Sequence, residues 1–318
     1  MKKRLAAFSL VGICLIMGLS CYSYQQSQDE INQIKAFWKA ERAARERNFD
    51  QAMVFYQQIT AYRLNNDVER EAVTSIAGIM RKMDENKALD LCSQIIKLYP
   101  NTIDELIALS RMNEIYQKQN KTFDLNAEYK KRIEQLQKQV QTTNDRELTA
   151  KSLIQMGRIY SALKDRDKEN QCIQEVVNKY SGTTASIGAY IALASYYTDT
   201  AHQDYSKAVQ LLYVVVTGYR MYPRAVDARF FLASILLFDL HKDKEALTIV
   251  NDIKKNFPYD RYTPRVYYFL ANYYASKKDY AKAIDYNEQV IKKYPETHNA
   301  LVAERAIPVL KERLKEKK

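Results

Sequence analysis

A pattern of small and aromatic residues recurs in the second half of the chain at intervals of 37 and 38 residues. Ala283 follows Ala246 by 37 residues, and Ala246 follows Ala208 by 38. Pro295 likewise follows Pro258 by 37 residues. A unit of this length cannot bury its apolar face alone, so a regular spacing predicts a stack of similar units.

Each unit has the pattern of two amphipathic helices. In residues 267–295 (YYFLANYYASKKDYAKAIDYNEQVIKKYP), apolar residues recur at three- and four-residue steps on both sides of a polar turn. The small side chains of Ala271 and Ala283 allow the two helices to approach closely, and Tyr274 and Tyr280 are large enough to fill the space beside them. Pro295 marks the end of the second helix, because proline cannot continue the hydrogen-bond ladder.

This order of Leu-Ala, Tyr, polar turn, Tyr, Ala and Pro resembles the tetratricopeptide repeat (TPR). The resemblance implies an all-α fold, a right-handed superhelical solenoid of about seven TPR-like helix pairs in residues 34–295. Residues 296–318 would form a capping helix and a basic tail. The pairs are predicted at about 32–63, 68–100, 102–141, 146–181, 184–221, 223–258 and 262–295. In the third pair, the second helix is long and polar, and Ala127 is expected at the contact between the helices.

Residues 1–20 have the features of a signal peptide. A basic start is followed by about 15 apolar residues, too few for an ordinary membrane span. Small residues precede Cys21, an arrangement that resembles the bacterial lipoprotein signal and implies lipidation of Cys21, with residues 21–33 as a tether. Tyr22, rather than Asp, follows the cysteine, which implies the outer membrane in a two-membrane bacterium. Gly18 stands where that signal prefers Leu, so simple secretion into the periplasm remains an alternative.

The sequence offers no candidate for catalysis, a cofactor or a metal. Its 3 histidines fall in different units, and neither a phosphate-binding glycine loop nor a nucleophile elbow occurs. Cys92 and Cys172 are expected to be buried, unpaired thiols on second helices about two repeats apart. The net charge of +11 is spread over the repeats, and the export signal argues against nucleic-acid binding.

A partner-binding groove is expected on the concave side of the solenoid, which the first helix of each pair lines. Residues there that do not pack between repeats are free to contact a ligand. Helical periodicity selects three positions in each of the fourth, sixth and seventh pairs: Lys151, Ile154 and Arg158; Asp227, Phe230 and Ser234; and Arg265, Tyr268 and Asn272. Asn272 stands where the family's peptide-carboxylate clamp has Asn, but the matching Lys and Asn of the preceding unit are absent.

These features predict a non-enzymatic protein-interaction scaffold, tethered in the bacterial cell envelope and binding a peptide or partner protein in its groove. The signal and repeats together resemble the TPR lipoproteins of the outer-membrane barrel assembly machinery, which implies a role in outer-membrane protein assembly. One alternative is a factor that coordinates the envelope and peptidoglycan. Another is a sugar- or wall-polymer-binding protein that uses groove tyrosines, among the 25 of this chain.

Overall fold

The computed structural model describes residues 27–62, 66–220, 222 and 225–316. The expected signal peptide and Cys21 lie outside this range. Within it, the secondary structure is entirely helical, and no helix there has the length and apolarity needed to cross a membrane. The helices are α1 (Gln28–Arg45), α2 (Phe49–Ala61), α3 (Asp67–Met83), α4 (Glu85–Leu98), α5 (Ile103–Lys118), α6 (Leu125–Thr142), α7 (Arg146–Ala162), α8 (Arg166–Lys179), α9 (Ala185–Tyr196), α10 (Tyr205–Gly218), α11 (Ala225–Ser234), α12 (Asp243–Asn256), α13 (Thr263–Ser276), α14 (Tyr280–Lys293) and α15 (His298–Glu316).

Successive helices form seven antiparallel pairs, from α1–α2 to α13–α14, and α15 packs on the last pair. The predicted solenoid of seven pairs and a capping helix is therefore confirmed. The start of the domain differs from the expectation. A capping box at Ser27 and Glu30 begins α1 at Gln28, so residues 28–33, expected in the tether, belong to the first helix.

A common turn joins the two helices of most pairs. The second residue after the first helix has a positive φ of 53° to 63°, which places it in the left-handed region and ends the helix. In the sixth pair this residue follows a π-helical turn, Ile235–Asp239, that extends α11. In most pairs, an Asp or Asn side chain then accepts a hydrogen bond from a backbone N–H of the second helix. The left-handed residues in these turns are Arg47, Asn120, Lys164, His241 and Lys278.

The core follows the predicted small-residue pattern. One alanine in the second helix of five pairs is fully buried at the contact with its partner helix: Ala52, Ala88, Ala208, Ala246 and Ala283. The expectation for Ala127 was wrong, because this residue is exposed. Helix α6 instead packs through Tyr129, Ile133 and Leu136, which lie beyond Ala127 in the same helix. Cys92 and Cys172 are buried free thiols, as predicted.

The two ends of the solenoid meet, a feature that the sequence did not predict. Apolar side chains of α1, α2 and α3 form one hydrophobic cluster with Tyr267, Val290, Tyr294 and Ala303 of the last pair and of α15. The first pair therefore packs against both the second pair and the seventh. This arrangement closes the solenoid around its concave side.

Candidate functional site

The concave side contains a cavity of about 440 Å³ between the second and third pairs on one wall and the fourth and fifth on the other. Most of its lining comes from first helices, the elements that were expected to face inwards. Two large apolar side chains, Ile103 and Tyr222, keep 43% and 45% of their surface exposed. The cavity is lined by Asp67, Arg70, Asn101, Thr102, Ile103, Asp104, Lys151, Ile154, Arg158, Thr184, Ala185, Ile187, Gly188 and Tyr222.

A second cavity, of about 380 Å³, lies beside the first. The two share Ile154, Arg158 and Gly188, so they adjoin each other along α7 and α9, and we call the two cavities together the channel. A Cβ atom added at Gly188 would meet no other atom within 4 Å, which means that this glycine faces open space. The second cavity is lined by Ile154, Gly157, Arg158, Glu169, Ile173, Gly188, Ile191, Ala192, Ser195, Asp227 and Arg261.

Four of the nine predicted groove residues line this channel. Lys151, Ile154 and Arg158 reach the first cavity, and Ile154, Arg158 and Asp227 reach the second. Residues of the fourth and sixth pairs are thereby brought together around the second cavity. The sequence had placed these side chains on separate repeats, and only the curvature of the solenoid brings them together.

The other five predicted residues lie outside the two cavities. Phe230 packs against Phe269 with ring centroids 5.1 Å apart, and the guanidinium of Arg265 lies 5.1 Å from the centroid of the Phe230 ring. Ser234 and Tyr268 are half-buried, and Asn272 is exposed. Their role in binding a partner stays a prediction.

The polar wall of the first cavity is held by a small network. The Arg70 guanidinium pairs with Asp67 and lies 3.6 Å from the Asp104 carboxylate. The Thr74 hydroxyl donates a 2.8 Å hydrogen bond to the same carboxylate. Asp104 is buried, and a buried charge of this kind is stable only when it is paired and hydrogen-bonded. The network therefore fixes the charged side chains at the mouth of the cavity.

Arg261 lines the second cavity, and no sequence pattern had indicated it as a site residue. Its guanidinium pairs with Glu71 of the second pair, 190 residues away. Burial lowers the pKa of Arg261, but Glu71, Tyr262, Asp227 and Asp260 outweigh this and raise it on balance. Since Arg261 stands in a connecting loop, no helical periodicity could have indicated that it points inwards.

Comparison with protein families bears on the seventh pair. Residues 266–297 match the family model for the tetratricopeptide repeat. The seventh pair is a tetratricopeptide repeat. The match begins within α13 and ends four residues after α14, so it covers both helices and the turn that joins them. No curated protein sequence matches the chain.

Solved structures with tetratricopeptide repeats are similar to this chain over most of its length. A tetratricopeptide repeat protein from Parabacteroides merdae is 11% identical, and the alignment covers 89% of this chain and 99% of that one, with a TM-score of 0.41. The TPR2AB domain of yeast Sti1, in complex with pHSP90, is 15% identical over 88% of this chain and 97% of that one, with a TM-score of 0.29. The assignment of the repeat rests on the family match and on the helix pair itself.

Tyrosines of the tetratricopeptide repeat pack inside the solenoid. Tyr267 and Tyr294 are buried with ring centroids 5.5 Å apart, and Tyr274 stacks on Tyr286 at 5.4 Å. Among the described residues, Tyr222 is the one tyrosine that lines the channel. This placement favours a packing role for the tyrosines over the sugar-binding alternative, which needs several of them in the groove.

Proposed function

We propose that this chain is a non-enzymatic scaffold that binds an extended segment of a partner protein in the channel on its concave side. The single observation that carries the proposal is that two adjacent cavities share Ile154, Arg158 and Gly188 in their lining. Tetratricopeptide-repeat solenoids form extended concave surfaces of this kind for binding other proteins. Space lined by residues of both walls suits a polypeptide that runs along the channel.

The lining of the channel offers both apolar and basic side chains to an extended segment. An extended segment could place its apolar side chains against Ile103 and Tyr222. Its polar groups could then meet Lys151 and Arg158 on the facing wall. Full burial of one such apolar side chain contributes about 1.5–3 kcal/mol.

A larger side chain introduced at Gly188 tests whether the channel binds the partner. Gly188→Leu adds a side chain into open space that both cavities share, so the fold tolerates it while the channel narrows. Gly188→Ala adds one methyl group and favours the helix by about 0.5–1 kcal/mol. The matched control is Gly218→Leu, since Gly218 ends α10, is exposed and also faces open space.

Partners are to be captured by crosslinking to the mature chain in cells, followed by mass spectrometry. We expect Gly188→Leu to lose a partner that the wild type, Gly188→Ala and Gly218→Leu all retain. Equal recovery of every partner by Gly188→Leu and Gly218→Leu would exclude the channel as the binding site.

We also propose that the scaffold is tethered to a membrane of the bacterial cell envelope through a lipid on Cys21, with a role in outer-membrane protein assembly or, alternatively, in coordinating the envelope with peptidoglycan. The basic start, the apolar stretch and the small residues before Cys21 support the tether. Helix α1 begins at Gln28, so only the six residues 22–27 separate it from the cysteine. Six residues reach at most about 20 Å, which would hold the solenoid close to the membrane.

Metabolic labelling with palmitate tests the tether. We expect the wild-type chain to carry the label and to fractionate with membranes, and Cys21→Ser to lose the label. An unlabelled wild-type chain would remove the lipid anchor and leave secretion into the periplasm. Because the channel lies in the helical domain, the capture experiment reports on partner binding whatever the labelling result.

A further inference from the structure

Three phenylalanine rings and one arginine form a surface patch at the sixth and seventh pairs, beyond the end of the channel. Phe269 of α13 contacts Phe230 and Phe238 edge to face, with centroid distances of 5.1 and 5.3 Å. The Arg265 guanidinium lies 5.1 Å from the centroid of the Phe230 ring. We call Phe230, Phe238, Phe269 and Arg265 the aromatic patch.

An irregular turn brings two of these rings to one face. Helix α11 continues into a π-helical turn, Ile235–Asp239, which contains Phe238. On a regular helix, residues eight apart are offset by about 80°, because each residue turns about 100°. A π-turn accommodates one extra residue, so Phe238 takes the place of the seventh residue after Phe230 and the offset falls to about 20°. Their shared contact with Phe269 agrees with this alignment.

The patch lies next to residues that line the second cavity. Asp227 and Arg261 line the second cavity. Phe230 lies about one helical turn beyond Asp227 on α11, and Arg265 lies four residues beyond Arg261 at the start of α13. One turn advances α11 by about 5.4 Å, so Phe230 lies about that far from Asp227 along the helix, and a segment that extends past the second cavity in this direction reaches the patch.

The patch presents apolar and positive surface to solvent together. Phe238 keeps 45% of its surface exposed, and Arg265 is exposed. Within the part of the chain that the structure describes, Arg265 makes no ion pair, whereas Arg261 pairs with Glu71 and Arg229 with Asp252. An arginine that is held over an aromatic ring and lacks a carboxylate partner is complementary to an acidic group.

We infer that the aromatic patch binds a partner segment in which an acidic side chain stands next to an aromatic or large aliphatic one, a conclusion that rests on the proposed function of the channel. The apolar side chain packs against Phe238 and Phe269, at the ring separations of about 4.5–7 Å that aromatic pairs prefer. The carboxylate accepts hydrogen bonds from the Arg265 guanidinium. Arginine is among the side chains that concentrate binding energy at interfaces.

The inference is tested with displayed random peptides that are selected on the full mature chain, followed by anisotropy measurements with labelled synthetic peptides. The probes are an acidic–aromatic peptide, the same peptide with lysine in place of its acidic residues, and the same peptide with alanine in place of its aromatic residue. We expect the wild type to select acidic–aromatic sequences and to bind the first probe at least about tenfold more tightly than the other two, since tenfold corresponds to about 1.4 kcal/mol.

Two variants separate the parts of the patch. Arg265→Glu is expected to reverse the charge preference, so that the lysine probe binds more tightly than the acidic one. Phe238→Ala is expected to remove the aromatic preference and leave the charge preference unchanged. The matched controls are Lys244→Glu and Val214→Ala, which change an exposed charge on α12 and an apolar side chain, 41% exposed, on α10.

The outcomes distinguish this inference from the proposed function. Peptides that are selected, that are lost in Gly188→Leu, and that respond to neither Arg265→Glu nor Phe238→Ala would overturn the aromatic patch and leave the channel. Selection of no peptide, or of peptides that respond to none of the three variants, would overturn the channel and the inference that rests on it. Peptides that respond to Arg265→Glu and Phe238→Ala but not to Gly188→Leu would overturn the channel and leave the patch as the binding site. Reversal of the charge preference in Arg265→Glu, with both controls unchanged, supports the patch.

Discussion

The indole N–H of Trp38 donates a hydrogen bond of 3.1 Å to the backbone carbonyl of Arg261, across 223 residues of sequence. The same indole meets the Tyr294 ring edge to face, with centroids 5.5 Å apart. A second hydrogen bond, from the Arg42 guanidinium to the Pro295 carbonyl, measures 2.7 Å. These contacts join the first helix pair to the seventh and hold the solenoid closed. We call this contact between the two ends the junction.

Replacement of Trp38 is expected to open this junction. Trp38→Ala removes a large side chain that is 6% exposed, and the loss of such a buried aromatic lowers the free energy of unfolding by about 3–5 kcal/mol. Trp38→Phe keeps most of the packing and loses the hydrogen bond, at a cost of about 1 kcal/mol. Urea unfolding measures both changes, and small-angle X-ray scattering measures the opening as an increased radius of gyration.

Tyr190→Ala is the control for opening, because Tyr190 is a buried aromatic of α9 away from the junction. It is expected to lose stability without an increase in the radius of gyration. If Trp38→Ala leaves the radius of gyration at the wild-type value, the contacts of Trp38 do not hold the ends together.

The ion pair between Glu71 and Arg261 is expected to contribute a modest, salt-sensitive coupling. The two side chains are 45% and 21% exposed, so solvent screens their attraction. A double-mutant cycle with Glu71→Gln and Arg261→Gln should give a coupling of about 1 kcal/mol in urea unfolding, smaller at high salt. The surface pair Arg166–Glu169 serves as the comparison and should give less. Equal coupling free energies for the two pairs would mean that closure of the solenoid does not strengthen the Glu71–Arg261 ion pair.

Stability is expected to depend on pH through Asp260. Burial raises the pKa of Asp260 to about 7 from an ordinary value of 3.8, with a further increase from Asp227, against the opposing effects of the Tyr262 N–H and Arg261. The folded protein therefore binds this proton more tightly than the unfolded chain. The contribution of Asp260 to the free energy of unfolding is largest below about pH 4 and is lost as the pH rises to about 7.

Asp260→Asn removes this dependence. We expect the variant to be more stable than the wild type at pH 8, with a difference that shrinks towards pH 4, in urea unfolding at a series of pH values. Asp84→Asn is the opposite case. The hydrogen bond from the Lys87 N–H is the main cause of the lowered pKa of Asp84. The free energy of unfolding of the wild type should therefore increase relative to that of Asp84→Asn as the pH rises. A constant difference between wild type and Asp260→Asn from pH 4 to 7 would contradict the prediction.

Both described thiols are expected to be unreactive in the folded protein. Burial raises the pKa of Cys92, and burial together with Glu175 raises the pKa of Cys172 to about 11. Since the thiolate is the reactive form, a maleimide at pH 8 should label neither residue in the mature Cys21→Ser chain and should label both in urea. Rapid labelling of the native protein at either position would mean that its helix pair opens readily.

The helix pairs could be predicted from the sequence because the contacts that define them are local. A small residue such as Ala246 meets a partner helix that lies fewer than forty residues away, so its spacing is visible in the sequence itself. Cys92 and Cys172 were assigned to the core for the same reason. Ala127 was misassigned because the polar helix α6 packs through a different set of positions, starting at Tyr129.

The channel and the junction depend on contacts that no local pattern contains. Lys151, Ile154, Arg158 and Asp227 were identified by helical periodicity, but the inward position of Arg261 depends on Glu71, 190 residues away. Gly188 could not be identified, because a glycine in a helix does not reveal whether its missing side chain would meet neighbours or open space. The π-helical turn at Phe238 likewise has no signature in the apolar pattern.

Closure of the solenoid also bears on how this chain can change over evolution. An open array of repeats can gain or lose a unit, because each unit contacts only its neighbours. Here an eighth pair would carry the Arg261 and Tyr294 contacts away from Trp38, and a deletion would leave them overlapping. The contacts between the first and seventh pairs therefore constrain the number of repeats, and we expect duplication of a single unit to be rarer than substitution within one.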